Sequence, residues 1–236
     1  PKLLDWLARR FIEDGWSIKA LHRRILLSST WQQASSVSHE AQRLDPENRL
    51  YSRAAIRRLE AEAVRDALLS VSGMLDETMG GTLLTLRNRA YFFDHTSIDK
   101  TTYDSPRRSI YLPMVRNNVY DVFQLLDFPD PAVSTGDRSE TVVASQALLM
   151  LNSELVMNSA AQLAARLPDE SHHDDDRLRR LYLLAFGRPA TQAERNADLR
   201  LLQKLTSDVD SRELRQKAWA TLCHITLAAN EFLYLR

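Results

Sequence analysis

Two carboxylates three residues apart, Asp127 and Asp130, sit in the segment Asp127-Phe128-Pro129-Asp130-Pro131. Such a pair can divide general acid and general base roles when its two environments split the pKa values. Arg107, Arg108, Arg116 and Arg138 flank it in the sequence. Their guanidinium forks match carboxylate, sulfate and phosphate groups. Gln146 and Asn152 add neutral hydrogen-bonding groups. Together these residues outline a site for an anionic polysaccharide, with Asp127 and Asp130 as the acid/base candidates. They also have a structural reading, in which the arginines pair with a stiff acidic loop and satisfy buried carbonyls, while Gln146 and Asn152 pack between helices. At the level of sequence both readings stand.

The stretch that must position these groups is stiff by composition. Pro129 and Pro131 fix φ and push the residues before them out of the helical region. Gly136 supplies a turn within Ser134-Thr135-Gly136-Asp137. Helical spacing leads in through Val119, Val122, Phe123 and Leu126, and resumes with Val142, Val143, Ala147, Leu148 and Leu151. Binding groups are often carried on loops held by such a scaffold.

The remaining chain reads as mainly α, with a small irregular β-containing insertion around residues 74–116. Leu3, Leu4, Leu7, Phe11 and Ile12 form the apolar face of a first helix closed by Gly15. Ser17 caps a second, with Ile18, Leu21, Ile25 and Leu26 inward and an end near Trp31. Asp45 before Pro46 predicts the cap of a further helix. A long amphipathic helix is expected from Ile56 to Val71, with Arg57 and Arg58 in surface ion pairs and Gly73 as its stop. Extended segments are expected around Thr82–Leu86 and Tyr91–Phe93, a polar loop over 96–106, and an edge strand over Arg107–Arg116 with Ile110, Leu112 and Met114 on one face. Ser153 recaps a helix running to about Leu167, and Thr191 with Glu194 forms a capping box. A final helix spans about Ser211–Phe232. One domain over 1–236 is expected, with a possible division into a 1–167 core and a 177–236 helical subdomain at the polar linker 168–176.

Composition narrows the function classes. Lys plus Arg equals Asp plus Glu at 31 each, whereas nucleic-acid or anionic-membrane binders more often carry a basic excess. The basic set is nearly all arginine, with lysine only at positions 2, 19, 100, 204 and 217. Cys223 is the one cysteine, which leaves no internal disulfide, Cys-rich zinc site or Cys-X-X-Cys-His haem attachment. Its apolar helical setting predicts a buried thiol. His172-His173 beside Asp174-Asp175-Asp176 could attract a divalent cation, but these acids suit a helix N-terminus, and no metal site is expected. Trp6, Trp16, Trp31 and Trp219 are expected in helix cores rather than along an electron-hopping path. No run approaches a membrane span, and no signal peptide opens the chain. The first residues enter a helix without a start methionine, as expected of a fragment of a longer protein. No Ser-His-Asp, Cys-His or Gly-rich phosphate signature is present. A helical scaffold or interaction module is therefore weighed against the polysaccharide site.

Several stretches, in this order, resemble one family. They are Leu3-Leu4-Asp5-Trp6-Leu7 with Gly15-Trp16-Ser17-Ile18-Lys19, Asp45-Pro46-Glu47-Asn48-Arg49, and Arg58-Leu59-Glu60-Ala61-Glu62 with Arg65-Asp66. Arg107-Arg108-Ser109-Ile110-Tyr111, Asp127-Phe128-Pro129-Asp130-Pro131, Gln146-Ala147-Leu148 with Leu151-Asn152-Ser153, Gly187-Arg188-Pro189 and Asn230-Glu231-Phe232-Leu233-Tyr234 complete the set. The set resembles the DUF1553 domain of planctomycete-type bacterial proteins. The resemblance implies the C-terminal part of a large exported protein, behind a DUF1549 domain and often a c-type cytochrome-like domain. It implies an extracytoplasmic location, partners among the upstream domains of the same polypeptide, and no cofactor within this chain. It carries no established reaction and no assigned catalytic residue. Gly136-Asp137-Arg138 stands where relatives often show Gly-Arg-Arg, so an acid interrupts a purely basic anion clamp.

Overall fold

A computed structural model describes residues 2–36, 38–83, 103–116, 118–167, 174–206 and 211–235. The chain divides into two compact units, residues 1–57 with 234–236, and residues 58–233.

The first unit holds α1 (Lys2–Glu13), α2 (Ile18–Leu26) and α3 (His39–Leu44). The turn after α1 places Gly15 and Trp16 in the left-handed region, and the Ser17 hydroxyl caps α2 by accepting from the Ala20 amide at 3.3 Å. α1 and α2 pack together, yet neither contains a fully buried residue. Asp45 follows a helix rather than starting one. Ser38 caps the short α3, accepting from the Ala41 amide at 3.1 Å. Asp45 then folds the next turn by accepting from the Arg49 and Leu50 amides, both at 2.8 Å.

The second unit is a helical bundle of α4 (Ala61–Ser72), α5 (Asp121–Leu125), α6 (Ala144–Asn152), α7 (Glu154–Arg166), α8 (Asp174–Phe186), α9 (Gln192–Thr206), α10 (Arg212–Leu227) and α11 (Asn230–Leu233). α7 packs against α4, α6 and α10, while α10 also meets α8 and α9. The core between them is built from residues such as Leu68, Phe123, Leu163, Trp219 and Leu222. Arg177 lies over the Trp219 ring at 4.3 Å. Cys223 is fully buried, and burial pushes its thiol up to about 12 despite the nearby Arg177 charge. A thiol that weakly acidic is inert.

Caps that the sequence announces are present. Ser153 ends α6 and accepts from the Val156 amide at 3.4 Å to begin α7. Before α9, the Thr191 amide donates to Glu194 at 2.6 Å and the Glu194 amide returns a bond to the Thr191 hydroxyl. Gly73, at φ +80°, closes α4. Arg166 reaches over from α7 to donate to the Ser70 and Val71 carbonyls, both at 3.0 Å, which the end of a helix leaves unpaired.

Among the described residues the fold is mainly helical with one small sheet, β1 (Arg57–Arg58) paired with β2 (Tyr234–Leu235). The Leu59 amide donates to the Leu233 carbonyl at 2.7 Å, so the second unit is tied where its chain enters and leaves. α4 begins at Ala61, five residues later than the apolar spacing from Ile56 predicts. The edge strand expected over Arg107–Arg116 is instead a 3-10 turn at Ser109–Tyr111 beside one isolated bridge, Asp76 with Arg107. Leu112 and Val115 face inward while Ile110 is exposed, so the burial period is not the strand period of two. Pro113 lacks an amide for a ladder, and the Ser109 amide is taken by Asp66 at 2.8 Å. Trp219 occupies a core as expected, whereas Trp6, Trp16 and Trp31 are exposed. The expected features at 84–86, 91–93 and 96–102, His172-His173 and the linker 168–173 lie outside the described residues.

Candidate functional site

Asp127 is where α5 stops. It takes the left-handed conformation at φ +61°, a place glycine usually fills, and the Phe128 amide bonds back to the Phe123 carbonyl at 2.9 Å. A short polar side chain is the next best tolerated there. That side chain then closes the neck of the loop leading to α6. One Asp127 oxygen accepts from the Thr141 amide at 2.7 Å, from Arg58 Nη2 at 2.6 Å and from Gln146 Nε2 at 3.2 Å; the other accepts from the Thr141 hydroxyl at 2.7 Å.

Arg58 is the residue that sequence reasoning placed wrongly. It lies buried, with 5% of its side chain exposed, against an Asp127 side chain 15% exposed. Its Nη1 also donates to the Thr141 carbonyl at 2.9 Å, and Nη2 to the Leu126 carbonyl at 3.3 Å. Arg58 therefore holds both sides of the loop neck and the end of α5 at once. Burial pulls the Asp127 carboxyl upward in pKa, but the Thr141 amide and hydroxyl and the Arg58 guanidinium outweigh it and hold the group below the usual carboxylate range. A carboxylate so engaged is ionised at neutral pH and has no proton to donate.

Arg138, farther along the same loop, makes a two-pronged contact with Glu62 of α4 at 2.8 and 3.0 Å, approaches Glu60 at 3.1 Å and lies over the Phe128 ring. Those acids raise its pKa, with the Glu62 hydrogen bonds contributing most. Arg107 is also occupied. It donates to the Thr78 and Gly80 carbonyls, each at 2.6 Å, and stacks on Tyr111 at 4.1 Å. Its carbonyl accepts from Arg65 at 2.9 Å; Arg65 is buried in α4 and also donates to the Ser105 carbonyl and the Ser109 hydroxyl. Asp66 accepts from both the amide and the hydroxyl of Ser109.

The structure thus brings Asp127 and Gln146 into one network and puts Arg107 and Arg138 into two others. Asp130 is exposed and shapes its own turn by accepting from the Ala132 amide at 2.8 Å. Arg108, Arg116 and Asn152 are exposed. Sequence reasoning missed Arg58, Arg65 and Asp66 as organising groups. Their signal is the run Arg58-Leu59-Glu60-Ala61-Glu62 with Arg65-Asp66, which contains the partners of both the loop after α5 and the stretch 105–109.

A similar tie stands in the C-terminal part. Arg188 bonds Glu194 at 2.7 and 2.9 Å and Glu231 at 2.7 Å through two nitrogens. It thereby joins the turn after α8 to α9 and α11. Asp174 and Asp175, at the start of α8, pair with Arg215 and Arg195 respectively. Among the described residues no cluster of three or more histidine, cysteine or acidic side chains is placed to hold a metal ion.

The chain matches the family model described as "Protein of unknown function (DUF1553)" over residues 1–202. No curated protein and no solved structure matches it. Since the match spans most of the 236 residues and contains Arg58, Asp127 and Gln146, the chain belongs to the DUF1553 family.

Proposed function

We propose that this domain is a helical scaffold or interaction module of a large exported bacterial protein. Its role is to hold neighbouring domains of the same polypeptide in an extracytoplasmic setting. One observation carries this reading: Asp127, Arg58, Arg107 and Arg138 are already engaged by partners within the chain. Asp127 accepts four hydrogen bonds, Arg58 and Arg107 serve main-chain carbonyls, and Arg138 grips Glu62. A catalytic acid or base needs a pKa near the working pH and a free path to substrate. The Asp127 environment works toward the opposite end, a fixed negative charge that shapes a loop.

The test pairs stability with binding. The full chain and the Arg138→Ala and Arg108→Ala variants are titrated with sulfated and uronic polysaccharides, and their thermal midpoints are measured. The expected result is no saturable binding by the wild type. Arg138→Ala should lower the midpoint by about 2–4 °C, as loss of about 1 kcal/mol does in a chain of this size. Saturable binding that Arg108→Ala or Arg138→Ala abolishes, with the midpoint unchanged, overturns the scaffold reading in favour of a polysaccharide site.

A further inference from the structure

The zero net charge of the chain conceals an uneven distribution. Residues 1–57, the main part of the first unit, carry ten Lys and Arg against six Asp and Glu, and the rest of the sequence carries the compensating acidic excess. Three of the four tryptophans also lie in residues 6–31, and all are exposed: Trp6 at 45%, Trp16 at 66% and Trp31 at 61%. Leu3, Leu4, Ile18 and Leu27 are exposed with them. In this helix pair Arg10 is matched by Glu13 and Arg24 by Asp14. Lys2, Arg9, Lys19 and Arg23 make no ion pair among the described residues.

We propose that the α1–α2 pair is a membrane-surface element that lies on an anionic lipid bilayer without crossing it. Amphipathic helices that combine leucine, isoleucine and tryptophan with unpaired Lys and Arg bind in this way. The apolar groups enter the headgroup boundary and the cations meet anionic headgroups. Tryptophan favours that boundary because its ring is apolar and its N–H is polar. No helix among the described residues is long and apolar enough to span a bilayer, which fits a surface mode. A soluble polysaccharide would satisfy the cations and leave the tryptophans in water.

The full chain is mixed with phosphatidylcholine vesicles, and with vesicles in which about one lipid in three is phosphatidylglycerol, at low salt and at about 0.5 M salt. Binding to the anionic vesicles should exceed binding to the neutral ones by about tenfold or more and weaken strongly in salt. It should be accompanied by a blue shift of tryptophan emission, since three of the four rings are exposed before binding. Trp16→Ala with Trp31→Ala should reduce binding about tenfold, and Lys19→Glu with Arg23→Glu should remove the preference for anionic lipid, with helical circular dichroism unchanged in both. Absence of vesicle binding, binding indifferent to lipid charge, or binding untouched by these variants overturns the proposal. So does lipid-free dimerisation that Trp16→Ala abolishes, which would assign the face to a second copy. The polysaccharide assay above reads Arg108 and Arg138, so either proposal can fail while the other stands.

Discussion

Removing the Asp127 carboxylate is the sharpest perturbation of the central loop. Asp127→Ala takes away the acceptor of four hydrogen bonds, one of them an ion pair with Arg58 at 2.6 Å. Breaking a buried ion pair by deleting one partner costs about 3–5 kcal/mol, because the other charge stays buried. Here Arg58 keeps the Thr141 and Leu126 carbonyls, and the Thr141 groups are exposed enough to regain water. The low end, about 3 kcal/mol, therefore applies. Alanine at φ +61° adds about 1 kcal/mol that aspartate, better tolerated there, largely avoids. The expected total of about 4 kcal/mol lowers the thermal midpoint by roughly 10 °C. Cys223 provides an assay confined to the second unit, since a fully buried thiol is labelled only when its surroundings open. Urea titrations read by thiol labelling should give Asp127→Asn a loss of about 1–2 kcal/mol, because asparagine keeps the shape and tolerates the backbone. Arg58→Met combined with Asp127→Ala should cost less than the sum of the two singles by about 1.5 kcal/mol or more. A loss below about 1 kcal/mol for Asp127→Ala, or additivity of the two singles, would refute the idea that this pair holds the loop neck.

Two further outcomes follow from the other ties. The Arg188 hydrogen bonds, outweighing burial, with help from Thr191, depress Glu194 from 4.5 to about 2. A depressed carboxyl stabilises fully above its unfolded pKa, so this contribution should be intact above pH 4.5 and disappear as pH falls toward 2. Acid titration of Arg188→Met should show less stability at neutral pH and a shallower loss across that window; an unchanged slope would count against the tie. At Gly73, a Cβ would lie 3.3 Å from Arg166 Cδ on a backbone at φ +80°. Gly73→Ala should therefore cost about 1–2 kcal/mol, and a thermal midpoint equal to wild type would contradict this account.

Local chemistry made much of the fold readable. Ser17, Ser153 and the Thr191–Glu194 pair announce helix starts because their partners lie three residues away, within one turn of chain. Arg58 illustrates the opposite case. Its carboxylate partner is 69 residues distant, whereas Glu60 and Glu62 close by make it look like one more surface arginine. The stretch Arg107–Arg116 alternates in hydrophobicity as a strand does. Its backbone is decided instead by Asp66 and Arg65, which reach across from α4. Periodicity located the apolar stripes of α1 and α2 but could not say that neither helix would bury a residue fully. For the candidate site, residue types were legible and saturation was not. An arginine or aspartate written in one dimension does not disclose how many of its bonds are already made.

The closure between Leu59 and Leu233 gives the second unit a property of its own. With the amide of one end 2.7 Å from the carbonyl of the other, the bundle hangs from its polypeptide as a loop hangs from a single knot. Tension drawn along the backbone is borne first by that bond and the two-residue ladder beside it, and the helices stay slack until the knot gives. The same adjacency makes the bundle portable. It can be spliced into a surface turn of another protein without spreading the host, or cut elsewhere and rejoined at the knot by a short linker.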